Sequence, residues 1–288
     1  MLNLSGSGVA LITPFTNKNN INFEKLDELI SFHLENNTDF IVPCGTTGEA
    51  STLSTLEKKK LIKFTVDKCK GKIPVIAGTG SNNTKQAIEM SRYAKTVGAD
   101  GVLVVTPYYN KTNQEGLFVH YKKIADAISP LPLILYNVPS RTGIDISIDT
   151  IIRLSQIENI IGIKEANPSL EKIANIILKT DDSFKVFSGN DNLLLPILSL
   201  GGAGVISVSA NLIPKQMHDI CVKNDKNLFF KYLELMDNLF LDVNPIMIKE
   251  AMNYLDFNVG KVRLPLYKTK KQNLDKLYTS IDKIKDEI

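Results

Sequence analysis

Eight short apolar runs, each followed by a longer stretch with helical spacing, leave few folds open to this chain. The runs are Gly8–Thr13, Phe40–Cys44, Ile73–Gly78, Gly101–Pro107, Leu131–Asn137, Asn159–Glu165, Phe184–Gly189 and Gly204–Ala210. They are rich in Val and Ile and lack a strict apolar–polar alternation, which fits strands covered on both faces, as in a parallel sheet. The segments between them read as amphipathic helices. After the first run, Phe23, Leu26, Leu29, Ile30 and Leu34 fall on one helical stripe. "TLEKKKLIKFTVDKC" and "NTKQAIEMSRYAKTVG" repeat the pattern, and Gly98 stands where a helix C-cap is expected.

Eight strand–helix units predict an α/β fold, a closed (β/α)8 TIM barrel, and 288 residues suit it. A doubly wound open sheet is the alternative, but regular spacing without a domain break favours closure. After about Lys223 the alternation stops, and three helix-like stretches follow with no strand between them. The expected organisation is therefore a barrel over 1–223 and a helical C-terminal extension over 224–288. No repeat of 20–50 residues stands out.

Composition excludes several function classes. A net charge of +3 gives no reason to expect a nucleic-acid partner or an anionic membrane surface. The longest apolar runs are strand-sized, so no membrane span is expected. "MLNLSGSGVALITPF" has no basic region before an apolar run, so no signal peptide is expected either. Cys44, Cys69 and Cys221 are odd in number and far apart, which suggests reduced thiols and a cytoplasmic location. Cys44 lies near a polar loop, and its ordinary reading is a small apolar filler.

Chemistry in such a barrel gathers at the C-terminal ends of the strands. Read in order, those ends carry "CGTTGEAS", "GTGSNN", "TPYYN", "YNVPSRTG", Lys164, "SGND" and "ISVSAN". Lys164 is the amine in this set that could act as a nucleophile. Desolvation in a barrel mouth far from carboxylates would depress its pKa, and a free amine adds to ketones to form an imine. A lysine snorkelling to the rim is the structural alternative. Glu165 should face away, because successive strand residues alternate. The "GTTGE" turn, with Thr46 and Thr47, could hold a carboxylate through backbone N–H groups and hydroxyls, or be a tight connection only. Tyr136 could relay protons near Lys164, and one of Tyr108 and Tyr109 should face the barrel axis; tyrosines on strands are otherwise packing residues. Arg141 could bind a carboxylate bidentately or lie on the surface. "GSGVA" precedes its expected strand and so is no dinucleotide fingerprint. His33, His120 and His218 fall in helical patterns without a ligand-spaced partner, so no metal site is expected.

Taken together, "GTTGEAST", "VIAGTGSNNT", "VTPYYNKTNQEG", "LYNVPSRTG", "IIGIKEA", "SGND" and "GVISV" resemble, in order and spacing, the dihydrodipicolinate synthase / N-acetylneuraminate lyase family of Schiff-base aldolases. The resemblance covers almost the whole chain. It implies an imine between Lys164 and pyruvate, with no cofactor and no metal. It implies that Thr46 and Thr47 form the pyruvate-carboxylate turn, and that Thr46, Tyr136 and Tyr109 form a proton relay, Tyr109 crossing from a neighbouring subunit. Gly189 and Ile206 match backbone-lined positions of the pyruvate pocket. Arg141 matches the arginine that binds the carboxylate of the aldehyde partner. The implied reaction is condensation of pyruvate with L-aspartate 4-semialdehyde, a step of lysine and diaminopimelate biosynthesis, in a homotetramer or homodimer. A sister aldolase acting on a sugar-derived 2-keto acid and a catalytically silent binding barrel are the rival readings. Lysine-sensitive members bind L-lysine through residues matched here by Asn82 and Tyr108. Lys58 replaces a histidine of that site and Gln86 a glutamate, so weak or absent inhibition by L-lysine is expected.

Overall fold

The computed structural model describes residues 2 and 4–288. All eight expected strands form: β1 (Gly6–Ala10), β2 (Phe40–Val42), β3 (Ile76–Gly78), β4 (Gly101–Val105), β5 (Leu133–Asn137), β6 (Ile160–Glu165), β7 (Lys185–Ser188) and β8 (Gly204–Ser207). They pair in the order β2-β1-β8-β7-β6-β5-β4-β3, every pair parallel. The two ends meet at a parallel bridge between Ile41 and Val75. Ile41 N–H donates to the Pro74 carbonyl at 3.0 Å and Gly78 N–H to the Pro43 carbonyl at 2.9 Å. The sheet thus closes on itself as a (β/α)8 barrel, as the alternation predicts.

Twelve α-helices occur among the described residues: α1 (Phe23–Glu35), α2 (Thr55–Cys69), α3 (Thr84–Thr96), α4 (Gln114–Ile128), α5 (Pro139–Thr142), α6 (Ile148–Ser155), α7 (Leu170–Lys179), α8 (Leu194–Ser199), α9 (Pro214–Lys223), α10 (Lys226–Asn238), α11 (Ile246–Tyr254) and α12 (Lys271–Asp282). Helix starts are set by local chemistry. Ser54 and Glu57 form a reciprocal capping box at α2, and the side chains of Asn22, Asn83 and Asn113 accept from the first turns of α1, α3 and α4. Gly98 has φ +88°, the left-handed conformation expected just past a helix end.

The strand periodicity divides the core in two. Ala10, Phe40, Val42, Leu103, Phe187 and Ile206 point inward and fill the barrel, with Phe40 and Phe187 edge to face at 5.6 Å. Neighbouring residues, such as Val9, Ile41, Val104 and Ile163, point outward and pack under the helices. One sequence reading is corrected here. "GSGVA" does not precede the first strand; it is β1. Gly8 faces the ring of Phe40, where an added Cβ would lie 2.1 Å from a ring carbon. Its lack of a side chain makes room for the aromatic floor of the barrel.

Three of the helices, α10, α11 and α12, follow Lys223 with no strand between them. α12 packs on the other two, and α11 with its flanking segments reaches back to the turn after β2. Nζ of Lys249 on α11 stands 2.6 Å from Oε1 of Glu49, both side chains being buried, and lies over the ring of Phe15 at 4.1 Å. Arg263 pairs with Glu57 at 2.6 Å and also lies over the Phe15 ring, 4.2 Å from its centroid.

Candidate active site

Parallel pairing of β5 and β6 sets Tyr136 directly beside Lys164, and Asn137 beside Glu165. Because side chains alternate, the first pair points into the barrel and the second outward. Nζ of Lys164 sits 4.7 Å from the centroid of the Tyr136 ring, and only 5% of the residue is exposed. The lysine is an interior amine with a phenol beside it, and rim snorkelling does not describe it.

The outward pair forms a clamp. Nδ2 of Asn137 donates to both carboxylate oxygens of Glu165, at 2.8 and 2.9 Å, and to Asp145 Oδ1 at 2.6 Å. Lys172 pairs with Asp145 at 2.5 Å and stands 3.4 Å from Glu165. Burial pushes the Glu165 carboxyl up, while Lys172 and the Asn167 N–H draw it back. These contacts tie the ends of β5 and β6 from behind, so that the inward pair is held in register.

A carboxylate also lies nearer Lys164 than the sequence suggested. Asp191, buried, accepts from the backbone N–H groups of Val208 and Ser209 at 3.1 and 2.7 Å and from the Ser209 hydroxyl at 2.7 Å. Burial raises its pKa, and the positive charge of Lys164 is among the influences that lower it again. Asp191, in the short helical turn after β7, is thus a buried carboxylate whose charged form Lys164 favours.

Tyr136 lines a cavity of about 270 Å³ together with Thr46, Tyr108, Val138 and Arg141, among others; Lys164, Thr47, Gly189 and Ile206 are not among its lining residues. Its floor depends on close backbone approach. A Cβ on Gly78 would lie 2.2 Å from the Cys44 carbonyl oxygen, and Cys44 itself has φ +57°. The thiol of Cys44 is buried and pushed up to about 12 by desolvation, consistent with packing rather than reactivity.

The "GTTGE" turn is held by the Glu49 N–H donating to the Thr46 carbonyl at 3.0 Å and by the Thr13 hydroxyl donating to the Gly48 carbonyl at 2.7 Å. Thr46 is half-buried on the cavity wall, and Thr47, next in the turn, is buried. Arg141 lies on the short helix α5, exposed, with Nη2 donating to the Asn244 carbonyl at 3.2 Å. Ile206 fills the barrel interior, and Gly189 follows β7, where an added Cβ would lie 2.7 Å from that of Ala166.

The tyrosine pair is the exception. β4 ends at Val105, so neither tyrosine lies on a strand and alternation does not decide between them. Tyr108 lines the cavity, whereas Tyr109 adopts φ +70° and is 92% exposed. Within one chain Tyr109 is not brought to Thr46 and Tyr136. Its loop is fixed all the same: Asn82 Nδ2 donates to the Tyr108 carbonyl at 3.1 Å, and Asn110 Nδ2 to the Asn82 carbonyl at 3.0 Å. A second, smaller cleft of about 190 Å³ next to the first gathers Lys58, Gln86 and Tyr108.

Asn244 was missed from the sequence. It sits in the loop between α10 and α11, and its Nδ2 donates to Thr47 Oγ1 at 3.0 Å across 197 residues of chain. Asn244 opens the stretch "NPIMIKEAM", and nothing local in it signals that contact.

A closed (β/α)8 barrel with a buried amine near the end of its sixth strand, and beside it a tyrosine that lines a cavity with hydroxyls and an arginine, defines the class of barrel whose chemistry lies at the C-terminal ends of its strands. Comparison with known proteins narrows the class. A sequence profile of the Dihydrodipicolinate synthetase family matches residues 3–284. The 4-hydroxy-tetrahydrodipicolinate synthase 1 of Clostridium acetobutylicum is 52% identical over 283 residues, covering 96% of each chain. Dihydrodipicolinate synthase from Aquifex aeolicus superimposes with a TM-score of 0.95 at 42% identity, covering 98% of both chains. The chloride-inhibited dihydrodipicolinate synthase from Acinetobacter baumannii, complexed with pyruvate, gives 0.94 at 42% identity, covering 97% of this chain and 98% of that one. This chain belongs to the dihydrodipicolinate synthetase family.

Proposed function

We propose that this chain is a lyase, a 4-hydroxy-tetrahydrodipicolinate synthase, which condenses pyruvate with L-aspartate 4-semialdehyde. The observation that carries the reading is the interior pair of Lys164 and Tyr136, side by side at the ends of β6 and β5, of which Tyr136 lines the cavity. Relatives about 50% identical over nearly the whole chain carry that name and support it.

In this reading the Lys164 amine adds to C2 of pyruvate and water is expelled, leaving an imine. The imine draws electrons from the methyl carbon, which loses a proton and becomes the nucleophilic end of an enamine. That carbon attacks the aldehyde of the second substrate, whose oxygen takes up a proton. The substrate amine then adds to the imine carbon and displaces Lys164, closing the ring; one water is lost overall. Thr46 and Thr47 hold the pyruvate carboxylate, and Gly189 and Ile206 bound its pocket. Tyr136 and Thr46 move protons at the reacting carbons, joined by Tyr109 from a second copy of the chain. Arg141 binds the carboxylate of the semialdehyde. The imine serves as the electron sink, so the reaction uses neither cofactor nor metal. We propose a homotetramer or homodimer acting in the cytoplasm; among the described residues no helix is long and apolar enough to cross a membrane.

Borohydride reduction in the presence of pyruvate tests the assignment. The peptide containing Lys164 should gain the mass of the reduced adduct, and Lys164→Ala should abolish both trapping and turnover. Modification of another lysine, with Lys164 clean, would overturn it.

A further inference from the structure

We infer that Asn244, supplied by the C-terminal helices, is a positioning residue that sets the Thr47 hydroxyl as a hydrogen-bond donor toward the keto-acid carboxylate. The inference rests on the pyruvate reading of the Thr46–Thr47 turn.

A threonine hydroxyl has one hydrogen to give and two lone pairs. Nδ2 of Asn244 donates to Thr47 Oγ1 at 3.0 Å, so one lone pair is occupied by a donor that cannot accept. The Thr47 hydrogen must then go elsewhere. Thr47 is 2% exposed, so water does not readily take that hydrogen. A carboxylate held by the turn is an acceptor only, and it matches a hydroxyl polarised in this sense. Oδ1 of the same amide is buried with no partner among the described residues. The opposite amide orientation would capture the Thr47 hydrogen and leave N–H groups buried instead.

The backbone of Asn244 does a separate task. Its carbonyl accepts from Arg141 Nη2 at 3.2 Å. The loop before α11 thus touches both carboxylate-binding groups, one through its side chain and one through its main chain. Substituting the side chain should disturb the keto-acid end and spare the arginine end.

Asn244→Asp is nearly isosteric and reverses the polarity. Its carboxylate would accept the Thr47 hydrogen and repel the keto acid. Borohydride trapping of Lys164, titrated with pyruvate, reads binding of the first substrate alone. The pyruvate concentration for half-trapping and the KM for pyruvate should both rise about 10- to 150-fold, the worth of a hydrogen bond to a charged group. The KM for the semialdehyde should move much less. Should Asn244→Asp fail to fold, a second comparison decides. Asn244→Ala should weaken pyruvate trapping in the native background and add nothing in a Thr47→Val background, because the amide acts only through that hydroxyl. Unchanged trapping by a folded Asn244→Asp variant, or full additivity of the two substitutions, would overturn the inference alone. A native protein that traps no pyruvate would overturn the reading of the site and this inference with it.

Discussion

At Arg141 the guanidinium is exposed on the cavity wall and makes one side-chain bond, to a backbone carbonyl. Its remaining N–H groups are open to a ligand carboxylate. Arg141→Ala should therefore lower kcat/KM for the semialdehyde about 10- to 150-fold, the worth of a charged hydrogen bond, while pyruvate trapping persists. An equal loss of trapping would assign Arg141 a structural role. In the cleft alongside, Gln86 accepts from the Ser81 hydroxyl at 3.1 Å, and Lys58 places an ammonium near any bound cation. The cleft is lined by two ammonium groups, of Lys58 and Lys59, against one carboxylate, of Glu89, so its balance opposes L-lysine, which brings two ammonium groups of its own. Half-inhibition in an L-lysine titration should lie above a millimolar, if inhibition occurs at all. Sub-millimolar inhibition would contradict that argument.

Among the elements, α11 has the most leverage on the site. It carries Lys249, whose ammonium is pushed down to about 8 by burial against the opposing pull of Glu49. Glu49 ends the threonine turn with φ +54° and also accepts from the Arg263 N–H at 2.9 Å. The helix, the turn and the Arg263 segment thus share one buried carboxylate. Removing the amine leaves that charge unpaired in the interior, so Lys249→Ala should cost about 3–5 kcal/mol of stability, measured by urea unfolding. It should also raise the KM for pyruvate, since the turn loses its anchor. A variant as stable as the native chain would show that water or relaxation replaces the pair. The clamp of Asn137 and Glu165 plays the corresponding part for β5 and β6: it uses the outward faces of the two strands to fix the inward ones.

For the whole molecule, Tyr109 is the most exposed large hydrophobic side chain among the described residues. A tyrosine 92% exposed in a left-handed conformation is poorly explained by packing within its own chain. If Tyr109 completes a neighbour's relay, Tyr109→Phe and Lys164→Ala chains, each inactive alone, should regain part of the activity when mixed and reassembled. A fully active monomer in sedimentation would exclude a shared site.

Much of this protein was legible one residue at a time. The eight strands follow from Val- and Ile-rich runs, the helices from 3.6-residue stripes and Asn or Ser caps, and the barrel from their strict alternation. Lys164, Tyr136, Thr46 and Arg141 stood out because each ends a strand or opens the loop after it, which is a local property. Contacts between distant segments were not legible. The approach of Asp191 to Lys164, the fastening of Glu49 by Lys249, and the bond from Asn244 to Thr47 join segments that share no periodicity. The direction of Tyr109 depended on a single backbone angle past the end of β4. Periodicity and strand-end chemistry are carried by neighbouring residues and survive in the sequence. Which buried polar groups meet is decided only when the barrel closes and the last helices settle against it, because desolvation then requires each group to find a partner from whatever segment packing has brought beside it.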